Sequence, residues 1–160
     1  MVASSRVPTV SEARSSLARK EATMANAEVM RGDDAIRECI DDCTACHRVC
    51  LETLADCLKR GGRLAEPGHL RLLMDCADIC ETSARFMLRG SDLHSRTCFA
   101  CAEVCAACAT ACEELGNEGL MAACAYACRR CEESCRGMSG GVMPQPLNPE
   151  AAQRFADLPA

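Results

Sequence analysis

Cysteine recurs along this chain at intervals of three, four and seven residues, and that spacing restricts the fold more than any other feature. One segment carries Cys39, Cys43, Cys46, Cys50 and Cys57; another carries Cys98, Cys101, Cys105, Cys108 and Cys112; the last carries Cys124, Cys128, Cys131 and Cys135. A lone pair, Cys76 and Cys80, lies between the first two. At roughly 100° per residue, each set stays within an arc of roughly 40–80° on an α-helix. Each helix therefore carries a single sulfur stripe.

That stripe is also the expected core face. Around the first one, Asp41, Arg48 and Glu52 fall on the far side, with Ile36, Ile40, Leu54 and Leu58 along one flank. Around the last, Arg129, Glu132 and Glu133 fall off the stripe. Free cysteine is a good small core residue, so one stripe is explicable as packing alone. A 4-3-4 cysteine pattern repeated on three helices asks for chemistry as well.

Helix breakers divide the chain. Pro8, Pro67, Pro144, Pro146, Pro149 and Pro159 leave residues 9–66 and 68–143 free of proline. Gly32-Asp33 offers an N-cap for a helix over about 34–60, which Gly61-Gly62 ends. Pro67 starts a second helix to about Arg89, with Gly90 as its terminal glycine. Ser91 or Asp92 caps a third helix to about Leu115; Gly116 ends it, and Asn117 caps a fourth to about Arg136, before Gly137. Short connections between helices of similar length predict an all-α antiparallel four-helix bundle over residues 33–137. Residues 1–32 form an N-terminal extension whose Val10, Leu17 and Met24, at heptad spacing, predict an additional helix against the bundle or a neighbouring subunit. Residues 138–160 read as an extended C-terminal tail with a short helical turn around 149–156.

Charge and composition exclude several functions. A net charge of −5 without a run of Lys or Arg excludes a nucleic-acid or anionic-membrane binder. Three Phe, one Tyr and no Trp leave a core of small side chains. Sixteen cysteines in 160 residues is a density normally met in secreted disulfide scaffolds. Yet the N-terminal residues contain no apolar stretch of signal-peptide type, and Glu12 and Glu21 weaken a transit-peptide reading. No window reaches the length of a membrane span. The expectation is the reducing cytoplasm, where dense cysteine reads as metal chemistry.

Soft thiolates select Cu(I), Zn(II) or iron–sulfur clusters. Zinc wants four ligands converging tetrahedrally. Sulfurs one helical turn apart suit a two-coordinate ion instead, because a linear S–metal–S unit spans about 4.5 Å. Sixteen thiolates holding about eight Cu(I) as isolated pairs would bury about eight negative charges at high cost. Bridging thiolates with roughly one copper each make the core neutral, so the expected loading is near the cysteine count. Other readings fit less well. The ferredoxin spacing is absent, as is any turn-borne zinc knuckle. A thiol redox enzyme needs one distinctive low-pKa cysteine at a helix N-terminus. Cys43-Thr44-Ala45-Cys46-His47 matches the haem attachment pattern but lies inside a helix. No nucleophile–base arrangement or phosphate loop suggests an enzyme.

The segments CIDDCTACHRVC, CFACAEVCAACATAC and CAYACRRCEESC resemble those of the bacterial copper storage proteins, over about residues 33–137. The resemblance implies a homotetramer of four-helix bundles, each holding many Cu(I) ions mostly through Cys-x-x-x-Cys pairs. The matching pairs are Cys39/Cys43, Cys46/Cys50, Cys76/Cys80, Cys101/Cys105, Cys108/Cys112, Cys124/Cys128 and Cys131/Cys135. Without a signal peptide the chain is similar to the cytosolic branch. Met87 and His94 fall on their stripes at the end that Cys39, Cys135 and Met138 share, a soft rim suited to admitting Cu(I). His69 and Met121 sit near the stripes at the other end, and His47 lies off its stripe as a packing or interface residue.

Overall fold

A computed structural model of the chain describes the backbone of residues 10–116 and 119–140, with side chains from residue 32 onward. Its described elements are α1 (Val10–Arg60), a single 3-10 turn (Gly62–Ala65), α2 (Pro67–Leu88), α3 (His94–Leu115) and α4 (Gly119–Ser139). The chain falls into two units, residues 1–37 and the remainder from Glu38. In the first, Arg37 pairs with Asp34 at 3.1 Å along the helix. The second contains every cysteine.

Most helix ends fall where the sequence puts them. At the end of α2, Gly90 adopts φ 63°, which its missing Cβ permits. There its N–H bonds to the Met87 carbonyl at 2.9 Å and that of Ser91 to the Phe86 carbonyl at 3.0 Å, the double closure of a Schellman motif. Pro67 occupies the first turn of α2 as expected.

Three boundaries differ. Gly32-Asp33 does not start a helix, because α1 runs through it from Val10. A glycine inside a helix costs only about 1 kcal/mol, too little to break a run with strong helix formers on both sides and no proline. Ser91 does not cap α3 directly; its hydroxyl accepts the Leu93 N–H at 3.3 Å, and α3 starts at His94. Gly137 is likewise absorbed, and α4 continues to Ser139. The 3-10 turn was not expected. Asn117, the 149–156 turn and the side chains of Val10, Leu17 and Met24 lie outside the described residues.

Sulfur contacts give the helix directions. Cys39 touches Cys135 and Cys50 touches Cys124, so α1 and α4 run antiparallel. Cys76 touches Cys105 and Cys80 touches Cys101, so α2 and α3 do the same. The interior is cysteine with alanine between: all sixteen sulfurs are buried, beside Ala77, Ala102 and Ala109. Among the described residues, Leu73 is the largest fully buried side chain. Outside, Arg129 grips Glu113 with two bonds of 3.0 and 2.9 Å, strapping α4 to α3, and Arg130 reaches Glu38 and Asp42 on α1 at 3.2 and 3.1 Å. Such exposed pairs add little stability one by one.

Burial therefore decides the stability of this bundle. Leu73→Ala is expected to cost the reduced, metal-free protein about 2–5 kcal/mol in urea unfolding followed by circular dichroism. Arg130→Ala should leave the urea midpoint nearly unchanged. The reverse order would mean that the surface straps, rather than the interior, hold the helices together.

Candidate metal centre

Each stripe delivers its sulfurs to one continuous interior column. Along a single helix, Cys46 and Cys50 lie 4.0 Å apart and Cys101 and Cys105 3.8 Å apart. Contacts between helices run from 3.5 to 3.9 Å. Cys43 meets Cys135 at 3.5 Å and Cys131 at 3.6 Å; Cys46 meets Cys128 at 3.6 Å; Cys80 meets Cys105 at 3.5 Å and Cys131 at 3.7 Å. The two cysteines of α2 sit in the middle of this network, since Cys76 also reaches Cys46, Cys105 and Cys128 within 3.9 Å.

Among the described residues, five groups bring their sulfurs within 4.8 Å of one another. They are Cys39/Cys98/Cys135, Cys43/Cys101/Cys131/Cys135, Cys46/Cys80/Cys105/Cys131, Cys46/Cys50/Cys76/Cys128 and Cys50/Cys108/Cys124/Cys128. Successive groups share a member: Cys135, then Cys131, then Cys46, then Cys50 and Cys128. Shared members are what bridging thiolates require. Cys57 and Cys112 belong to none of these groups.

Two further residues on the column have no sulfur. Thr53 and Ser83 are fully buried, and neither hydroxyl has a hydrogen-bond partner. Sequence reading that counted only cysteines missed them. The signal was present: Thr53 fills the three-then-four interval between Cys50 and Cys57, and Ser83 follows Cys80 by three and precedes Met87 by four. A hydroxyl there can donate to an adjacent thiolate, spreading its charge.

The ends differ. At one, the Cys98 thiol donates to Met87 Sδ at 3.8 Å, and Cys98 belongs to the group with Cys39 and Cys135. Half-buried His94 holds its Nδ1 2.8 Å from the Ser91 carbonyl. A carbonyl only accepts, so in the neutral ring Nδ1 carries the proton and Nε2 keeps its lone pair. His47 is engaged elsewhere, with Nδ1 3.0 Å from the Ala77 carbonyl, consistent with its packing role. At the other end His69 and Met121 are buried. Burial holds the His69 imidazole below its ordinary pKa, against the opposing pull of Cys124 and Glu66.

Hydrogen bonds between thiols push neighbouring pKa values apart. Bonds with Cys105 and Cys128 hold Cys46 far below the ordinary cysteine value, whereas bonds with Cys101 and Cys105 drive Cys80 far above it. Cys98 is pushed up to about 12: a bond with Cys135 lowers it, but the bond with Cys39 and burial outweigh that. Thiols with raised pKa keep their protons at neutral pH.

The family model described as "Copper storage protein" matches residues 32–140. The chain is similar to the solved protein Nmul_A1745 from Nitrosospira multiformis, with 45% identity and a TM-score of 0.65 over 69% of this chain and 99% of that one. It is also similar to the Cu(I)-bound copper storage protein BsCsp3 of Bacillus subtilis, with 33% identity and a TM-score of 0.62 over 66% and 98% of the two chains. A third similar structure is a cytosolic copper storage protein from Streptomyces lividans carrying five coppers, with 31% identity and a TM-score of 0.59 over 68% and 95%.

Because only thiolates ligate, a soft metal entering this column must displace protons, and its apparent affinity falls as pH falls. Anaerobic Cu(I) addition at neutral pH is expected to release roughly one proton per ion, read with an indicator dye in weak buffer. Uptake without acidification would mean that the thiols are not the ligands.

Proposed function

The chain belongs to the copper storage protein family, and from that premise we propose that it is a cytosolic store for Cu(I), holding many ions per chain on its buried thiolates. The observation that supports this reading most is the unbroken succession of sulfur groups with shared members. A zinc site or a redox pair needs one such group, not a column of them. The proposed ligands are Cys39, Cys43, Cys46, Cys50, Cys57, Cys76, Cys80, Cys98, Cys101, Cys105, Cys108, Cys112, Cys124, Cys128, Cys131 and Cys135. The role is storage and detoxification rather than catalysis.

Residues 33–137 are assigned as the copper-bearing unit, with 1–32 and 138–160 as extensions to it. We assign a homotetramer from the family resemblance. Exposed Leu51, Leu58, Met74, Leu88 and Tyr126 supply apolar surface that such an assembly would cover. Among the described residues no helix is long and apolar enough to cross a membrane.

Titration of the reduced protein with Cu(I) under a competing chelator tests the storage role. Saturation is expected at roughly one copper per cysteine. Saturation at two or three ions would overturn the reading and favour a zinc, iron–sulfur or regulatory site.

Met87 and His94 are assigned to the rim that admits copper, the thioether touching Cys98 and the imidazole offering Nε2. The double variant Met87→Ile, His94→Leu should slow loading in stopped flow and leave final capacity almost unchanged. Unaltered loading would mean that copper enters by transient separation of the helices, with these side chains acting only as plugs.

A further inference from the structure

The bundle end beside the 3-10 turn holds buried donors that the sulfur groups leave unused. Cys57 is fully buried, yet among the described residues no other sulfur lies within hydrogen-bonding reach of it, and it stands outside every group. His69 is 8% exposed, and neither of its ring nitrogens has a hydrogen-bond partner. Buried polar groups are nearly always paired, so an imidazole with both nitrogens idle signals a missing partner. It lies on the inward face of α2, four residues before buried Leu73 and seven before Cys76. Cys124 lies close enough to act electrostatically on both Cys57 and the His69 ring. Met121, three residues before Cys124 on α4, is buried as well. Three helices thus carry soft donors at the same end of the bundle.

We propose that Cys57, His69 and Cys124 form a mixed nitrogen–sulfur site for a single Cu(I) ion at this end, with the thioether of Met121 beside it. The identity of the metal rests on the storage reading; the site itself rests on the unpartnered imidazole. Imidazole and thiolate both suit copper. On binding, Cys57 and Cys124 release any thiol protons to solvent, and one ring nitrogen of neutral His69 gives its lone pair to the ion. A neutral donor matters here, because it completes the coordination without burying another negative charge. Cys124 also belongs to the group of Cys50, Cys108 and Cys128, so its sulfur links the mixed site to the column. The three donors are not yet gathered within 4.8 Å, so a side-chain rotation must accompany binding. His69 also lines an open pocket of about 240 Å³ with Arg63, Glu66, Leu72 and Glu114, although both of its ring nitrogens are turned away from solvent.

The test uses the full chain and its three histidines. Long-range 1H–15N spectra of the imidazoles are recorded on reduced protein before and after anaerobic Cu(I) loading. One ring nitrogen of His69 is expected to shift strongly while those of His47 stay in place. His69→Leu should keep its far-UV spectrum but lose roughly one copper per chain. If that variant fails to fold, the wild-type spectra decide alone. Full uptake with an unmoved His69 ring would overturn this site and leave storage intact. Uptake of only two or three ions with a shifted ring would leave the site standing and remove the storage reading.

Discussion

Sulfur-to-sulfur contact inside a closed bundle is the constraint from which the rest of this structure follows. Thiols 3.5–4.0 Å apart on four helices require inward faces of cysteine and alanine, because bulkier side chains would hold the helices apart. A thiol is a weak hydrogen-bonding group that tolerates burial when neutral. A thiolate does not, unless a cation accompanies it. The interior therefore has two comfortable states, neutral thiols and neutral copper–thiolate, and intermediate loadings need the buried hydroxyls and alternating protons to spread the remaining charge.

Carrying the ligands on helices separates folding from metal binding. In a zinc finger the metal supplies the folding energy and the metal-free chain is unstructured. Here the sulfurs already stand within an ångström of the roughly 4.5 Å that a linear S–metal–S unit spans. Small rotamer changes open that distance while the backbone stays in place. The surface ion pairs fit the same division: Arg129 and Arg130 fix α4 against both neighbours without entering the column.

The sequence made the stripes, the four bundle helices and the three breaks between them readable, because sulfur periodicity and glycine punctuation are both local signals. Continuity through Gly32 was not readable, since the cost of one glycine is small against the cooperativity of the helix around it. Nor was the preference for sulfur contacts between helices over those along one helix. Spacing on a single helix says which residues share a face, whereas the register between helices decides that Cys80 meets Cys101, Cys105 and Cys131. Thr53 and Ser83 escaped for a different reason. Their positions fit the stripe, but a hydroxyl on an inward face announces itself only once burial shows that it has no partner.

The alternating three- and four-residue step has a consequence for how such a chain can change in length. Deleting one residue from the middle of α3 would rotate everything beyond it by about 100°, turning Cys108 and Cys112 away from the interior and bringing charged neighbours in. Adding seven residues to every helix would instead preserve each face and lengthen the column by two layers. Capacity is therefore quantised by the helical repeat. A chain of this design can grow or shrink its store in heptads, whereas single insertions are confined to its loops and its two ends.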